Sequence, residues 1–308
     1  MKQGVFFLGK GGVGKTTTAS AFAAGCAAWG GMDVLAVSLD PAHNLGDVLG
    51  TSLREKPSKV GEHLSAMEID VGKWISRYLA SLRKELASTY AYTSVASLDS
   101  YFSLLRYSPG TEEYALLWAI KEIVSRYQEY DLVVFDTPPT ALTLRFLALP
   151  FLSEKWLEGL KGLRTAILER RQTVLRLDPE APVRGARRPE EDQLYHRLLG
   201  LQRRLASLRE LFLARSTVVL VVNPDELSLR ESIRIRDELT GLRIPIAVVC
   251  HNKAREADES WERKIRNAFR TTPVVRIPFR EEEALDPDRL PVRELVDRII
   301  DHVRKEQP

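Results

Sequence analysis

Near its amino end the chain carries Gly9-Lys10-Gly11-Gly12-Val13-Gly14-Lys15-Thr16-Thr17. A glycine, four residues and then Gly-Lys-Thr is the spacing of a phosphate-binding loop. Glycines let the backbone take positive φ and turn successive N–H groups toward a phosphate chain. A helix opening at Thr16 adds the positive end of its dipole. In that geometry Lys15 neutralises β and γ oxygens and the Thr16 hydroxyl is a ligand for Mg²⁺. Gly11, Gly12, Val13, Gly14 and Thr17 complete the cradle. Gly9-x-Gly11-x-x-Gly14 also fits a dinucleotide fingerprint, with Asp40 where a ribose-binding acid would stand. Two features favour the phosphate loop. Lys15-Thr16 stands where a dinucleotide helix continues with small or apolar residues, and Asp40 runs into Pro41-Ala42-His43, which reads as a catalytic switch segment.

Two carboxylates follow apolar strand patterns, so both belong at the carboxyl edge of a sheet, where ligands of open α/β sheets bind. Asp136 suits the role of holding Mg²⁺ through water, and Thr16, Asp40 and Asp136 together make the expected metal set. Asp40 is also placed to orient or deprotonate an attacking water, which makes Asp40, Lys15 and Lys10 the expected catalytic groups. The plainer role for either acid is a helix cap. Lys10 is a second lysine at the loop tip that a standard loop does not need. A charge there points past its own phosphates, toward a nucleotide held by a second copy across a dimer.

The elements that must position these residues are legible as alternating patterns. Apolar runs at 5–8, 34–39, 132–135, 217–222, 244–250 and 274–277 read as strands buried on both faces. Helical patterns lie at 16–29, 227–239, 258–269 and 292–303. Such alternation implies crossover connections and a mostly parallel sheet. Two helix-rich insertions, about 72–127 and 151–215, break the rhythm. Their apolar stripes are Trp74, Ile75, Tyr78, Leu79, Leu82 and Leu86; then Trp156, Leu157, Leu160, Leu163, Ile167 and Leu168; then Leu194, Leu198, Leu201, Leu205, Leu208 and Phe212. The segment 178–192, with three prolines and dense charge, reads as a loop between helices.

Composition sets the outer limits. The 308 residues carry a formal charge of +3 with 44% hydrophobic residues, ordinary for a globular chain and no argument for nucleic acid. No apolar run approaches the roughly 18 residues of a membrane span. The amino end runs straight into the glycine loop without a signal peptide's apolar region. Two cysteines, Cys26 and Cys250, make neither a disulfide framework nor a four-thiolate zinc site. A reducing cytoplasm is the expected home.

Three segments together resemble the ArsA-type ATPases, which include the arsenite-pump ATPase and the Get-pathway factor for tail-anchored membrane proteins. They are the loop 9–17, then Ser38-Leu39-Asp40-Pro41-Ala42-His43-Asn44-Leu45, and then Asp136-Thr137-Pro138-Pro139-Thr140-Ala141-Leu142-Thr143-Leu144-Arg145. Asp-Pro-Ala-His separates this branch from the related ParA and MinD partitioning and division ATPases. The resemblance implies an α/β fold, a mostly parallel P-loop NTPase sheet of the SIMIBI type with an inserted helical subdomain, as one domain over 1–308. It implies an adenine site late in the chain: Asn252, whose amide can pair with a base edge, with Pro278 and Phe279 lining the base. Asn223-Pro224-Asp225-Glu226 resembles the family's Pro-Glu turn, and His43 could link switch and dimer partner. The chain also departs from the family. Ala141-Leu142 stand where relatives carry Gly-His, no C-x-x-C is present to bind the zinc of the eukaryotic dimer, and no cysteine trio is available for arsenite.

The expected function is therefore a Mg²⁺-dependent ATPase acting on ATP as a nucleotide-switched homodimer, cytoplasmic or peripheral at the membrane. It would couple hydrolysis to capture or delivery of an apolar-helix client, or to a membrane pump subunit. The alternative is a MinD- or ParA-like organiser at a membrane surface or on DNA, although no nucleic acid is expected. The insertion stripes either line a client groove or pack on each other and the sheet. Methionines, common in promiscuous grooves, lie outside them. The second insertion is basic, with 14 Lys and Arg against 9 Asp and Glu over 151–215, which scattered arginines on a solvated helix face explain.

Overall fold

The apolar runs pair into one sheet. The computed structural model describes residues 3–42, 44–87, 104–182, 185–255, 258–279 and 292–306. Its strands are β1 (Gln3–Leu8), β2 (Val34–Ser38), β3 (Ser58–Lys59), β4 (Leu64–Glu68), β5 (Leu132–Asp136), β6 (Ser216–Val222), β7 (Ile246–Ala254) and β8 (Val274–Pro278). They lie in the order β3-β4-β2-β5-β1-β6-β7-β8. Every pair is parallel except β3 with β4. This is the expected α/β class with a mostly parallel sheet. Strands β3 and β4 carry no long apolar run and were not anticipated.

Alternate residues of each strand enter opposite cores. Val5, Phe7, Val34, Ala36, Val219 and Val221 face one layer, made by α1 (Lys15–Gly30) and α9 (Arg293–Glu306). Phe6, Leu8, Leu35, Val37, Phe135 and Leu220 face the other. That second layer holds α3 (Val71–Ala87), α4 (Thr111–Arg126), α5 (Thr140–Leu177), α6 (Gln193–Ala214), α7 (Glu226–Gly241) and α8 (Glu259–Ala268). A short helix, α2 (Leu45–Leu49), follows the first switch segment. Phe6 stacks on Phe135 at 4.6 Å and meets the edge of Phe212 at 5.7 Å, so α6 is fastened to the middle of the sheet.

Both insertions therefore pack on one face of the sheet. In the first, Trp74 and Leu79 are buried, Ile75 and Tyr78 partly so, and Trp74 meets Trp118 of α4 edge-on at 5.6 Å. The side chain of Leu86 lies outside the described residues. The second does not begin at 151. Helix α5 starts at Thr140, directly after the second switch segment, and runs unbroken for 38 residues, about 57 Å at the α-helical rise. Pro150 sits inside it, giving up one ladder hydrogen bond without ending the helix. The stripes divide: Leu157, Leu168, Leu205, Leu208 and Phe212 are buried, while Trp156, Leu163, Leu194 and Leu201 are exposed, as is Leu152 outside them.

The α5–α6 hairpin is closed by one ion pair, between the buried Asp192 and the partly buried Arg164. Asp192 takes Arg164 Nε at 3.0 Å and Nη2 at 2.6 Å, and caps α6 by accepting from the Tyr195 N–H at 2.8 Å. Arg164 first, and the cap second, hold the Asp192 carboxyl below its ordinary value of 3.8 against the effect of burial. A depressed carboxyl contributes stability that is present above the unfolded pKa and lost as pH falls through the folded one. Asp192→Ala is expected to destabilise the protein by about 2–3 kcal/mol at pH 7. In urea unfolding, the difference from wild type should shrink below about pH 4.

Candidate nucleotide site

The loop leaves β1 at Leu8 and must turn hard, because α1 begins seven residues later. Gly9 has φ 155°, and a Cβ there would lie 2.5 Å from the Val221 carbonyl oxygen of β6. Gly14 is the N-cap of α1 at φ 91°, a left-handed conformation that glycine adopts without strain. No acidic residue occupies the first turn of α1, so its N-terminal amides keep their attraction for an anion. Gly11, Gly12 and Thr17 are exposed and Val13 is buried. Lys15 is 6% exposed, with Nζ 3.4 Å from the Lys10 carbonyl oxygen. Burial lowers its pKa, and Asp136 and Asp40 oppose that shift.

Strand register brings the acids to this loop. Asp136 lies level with Phe7 of β1 and Ser38 of β2. Its Oδ2 accepts from the Thr16 hydroxyl at 2.8 Å, and its Oδ1 is buried with no hydrogen-bond partner among the described residues. Burial pushes the Asp136 carboxyl up to about 6, against the downward pull of Thr16 and Lys15. Asp40, half-buried, accepts from its own turn at the Ala42 N–H (3.0 Å). The Leu39 N–H donates to the Asp136 carbonyl at 2.9 Å and ties the two segments together. His43 lies outside the described residues. The orphaned Asp136 oxygen, the Thr16 hydroxyl and the Asp40 carboxylate are hard oxygen donors, and they fit Mg²⁺.

Three threonines fix the second segment, one to β1, one to the loop and one to the segment's own turn. Thr137 Oγ1 donates to Phe7 O at 2.6 Å, Thr140 Oγ1 to Gly9 O at 3.2 Å, and Thr143 Oγ1 to Pro138 O at 2.8 Å. No task for these threonines is evident from the sequence, where the only signal is hydroxyls at every third position. Thr140 is also the first residue of α5, so the phosphate loop and the long helix share one contact.

The late segment reaches the same sheet edge. Asn252 is buried, and its Nδ2 donates to the Val13 carbonyl at 2.8 Å. In this structure its amide nitrogen braces the phosphate loop. Pro278 and Phe279 are exposed at the end of β8, and the Arg255 guanidinium lies 4.8 Å from the Phe279 ring centre. The Asn223–Glu226 turn is a helix entry: Asp225 accepts from the Ser228 N–H at 2.8 Å to cap α7. Together these elements form a cradle of amides and cations for an oligophosphate, with carboxylates at one end and a brace at the other.

The chain matches the model of the anion-transporting ATPase family over residues 2–292. It is similar to the candidate arsenical pump-driving ATPase 2 of Aquifex aeolicus, 30% identical over 92% of this chain and 95% of the relative. It is also similar to ATPase GET3 of Malassezia globosa, 30% identical over 93% of this chain and 88% of that one. The get3 ATPase of Aspergillus terreus is 31% identical, over 93% and 87% respectively. The chain belongs to this family and is an ATPase.

Asp136 gives the site a pH signature. Its folded pKa of about 6 stands above its ordinary value of 3.8, so its protonated form favours the folded state. That stability is complete below the unfolded pKa and is lost as pH rises through about 6. Without metal or nucleotide, the stability of the wild type relative to Asp136→Asn should fall by about 2 kcal/mol between pH 4 and pH 7. Urea titrations of both proteins across that range measure it.

Proposed function

We propose that this member of the anion-transporting ATPase family is a Mg²⁺-dependent, nucleotide-switched homodimer that couples ATP hydrolysis to the capture and release of an apolar helical client in the cytoplasm. The loop amides 11–17 and Lys15 hold the phosphates. Asp40 orients the attacking water and accepts its proton. Thr16, Asp136 and Asp40 would hold Mg²⁺, which when bound supplies charge neutralisation of the β and γ oxygens. Asn252, with Pro278 and Phe279, receives the adenine. Among the described residues Lys10 has no side-chain hydrogen bond or ion pair, and it is half-buried at the loop tip. It is therefore available to a second copy's nucleotide.

The observation that carries the coupling is helix α5. Its first side chain, Thr140, is hydrogen-bonded to the Gly9 carbonyl, and further along it exposes Leu152, Trp156 and Leu163, at 64%, 66% and 60%. Spacings of four and seven put these three on one helix face. Tyr114 at the start of α4 bonds Ser153 at 2.8 Å, and exposed Leu104, Leu105 and Tyr107 precede that helix. An apolar surface of this kind suits the buried face of an amphipathic or membrane-destined helix. The name of the Aquifex relative supports a second reading, in which a pump subunit occupies this surface. No helix among the described residues is long and apolar enough to cross a membrane.

One experiment tests the whole reading. Purified protein is given Mg·ATP and a labelled apolar helical peptide, and is followed by phosphate release and gel filtration. Lys15→Ala should lower hydrolysis by more than about 100-fold. Asp40→Asn should bind ATP without turnover and elute as a dimer retaining peptide. Brisk turnover by Asp40→Asn removes the catalytic assignment, and a monomer without peptide removes the client.

A further inference from the structure

Two residues other than glycine have a left-handed backbone among the described residues, Arg243 at φ 61° and Lys253 at φ 53°. Arg243 follows the end of α7, and its N–H closes on the Thr240 carbonyl at 3.0 Å, as chains leaving helices do. Lys253 has no such reason. It lies within β7, where a regular parallel strand has φ near −120°. The register of β7 against β8 slips between His251 and Ala254, so Asn252 and Lys253 form a bulge. Bulges next to binding sites re-aim side chains, and a left-handed conformation is unfavourable for a residue with a long side chain.

The distortion turns two successive side chains over the phosphate loop. Asn252 reaches the Val13 carbonyl. The Cε of Lys253 stands 4.0 Å from where a Cβ of Gly14 would be, and Asn252 Nδ2 stands 2.6 Å from the same point. The loop is thus bare of side chain where these residues cross it. Lys253 is exposed, and its ammonium has no hydrogen bond or ion pair among the described residues. Strand order shows which end of a nucleotide it faces. The acids end β5 and follow β2, on one side of β1, and β6 and β7 lie on the other. The metal and γ-phosphate end belongs with the acids, so Lys253 stands at the nucleoside end.

We propose that Lys253 is a nucleoside-binding residue: its hydrocarbon stem lies against the base and ribose of a nucleotide held in the phosphate loop. Its ammonium stays in water, as long cationic side chains do when they cover apolar surface. The strained backbone at the bulge is what places the stem there. This inference rests on the ATPase reading above.

Calorimetry with Mg·ATP, Mg·ADP and Mg·tripolyphosphate on wild type, Lys253→Ala, Lys253→Gly and Lys253→Met tests it. The alanine and glycine variants should bind ATP and ADP about tenfold more weakly, and the methionine variant, which keeps the stem, as wild type does. Tripolyphosphate should bind all four alike. In steady state KM should rise while kcat at saturation stays within about twofold. Lys253→Gly should melt higher than Lys253→Ala, because glycine accepts the left-handed backbone, which separates strain from contact. Undiminished ATP binding by Lys253→Ala would overturn the proposal. So would a methionine variant as weak as alanine, or a parallel loss of tripolyphosphate. Wild type that binds no ATP would overturn the ATPase reading and this inference with it.

Discussion

The contact between the Thr16 hydroxyl and the buried Asp136 carboxylate, 2.8 Å long, is the constraint on which the site depends. A carboxylate taken out of water is unfavourable unless it is paired or hydrogen-bonded. Asp136 has one oxygen satisfied by Thr16 and the other by no group of the described chain. The fold tolerates this because β5 lies between β2 and β1, which leaves the end of the strand walled in. The same register that buries Asp136 puts it beside Lys15, and the two charges shift each other's protonation. A divalent cation with a nucleotide would satisfy the stranded oxygen.

Helix α5 is the element that, in the proposed coupling, would carry the state of that site outward. Thr140 bonds the carbonyl of Gly9. Five residues on, Arg145 pairs with the buried Glu113 of α4 at 3.3 Å, and further along the exposed apolar face begins. Under the proposed coupling, a movement of the phosphate loop on binding ATP would be felt first at the N-terminus of this one long helix. Its far hairpin is tied together by the Arg164–Asp192 pair, so under that proposal a small rotation at the loop would become a displacement at the distal end.

How far sequence could anticipate this depended on whether each feature was local. Gly9 to Thr17 announced itself because positive φ and close approach demand glycine there. The central strands showed as unbroken apolar runs because both faces are covered. β3 is two residues long and β4 reads Leu-Ser-Ala-Met-Glu, too short and too mixed to stand out. The insertion boundary expected near Phe151 has no counterpart in the structure, because helix α5 runs unbroken from Thr140 to Leu177. β7 begins at Ile246 rather than at residue 244, because Ile244 still closes α7 through the Leu239 carbonyl. Asn252 was legible as a polar residue at a strand end, but its bond to Val13 spans 239 residues of chain and no local pattern encodes it. The left-handed backbone of Lys253 was invisible, because lysine gives no sign of it.

The most direct measurement is a calorimetric titration of ATP into wild type and Thr16→Ala, each with Mg²⁺ and with EDTA. If the Thr16–Asp136 contact is where the cation enters, Mg²⁺ should tighten ATP binding to wild type by about tenfold or more, since a bound cation neutralises phosphate charge. Thr16→Ala should match wild type in EDTA and gain little from Mg²⁺. Equal enhancement in the two proteins, or no binding of ATP by wild type, would contradict the account.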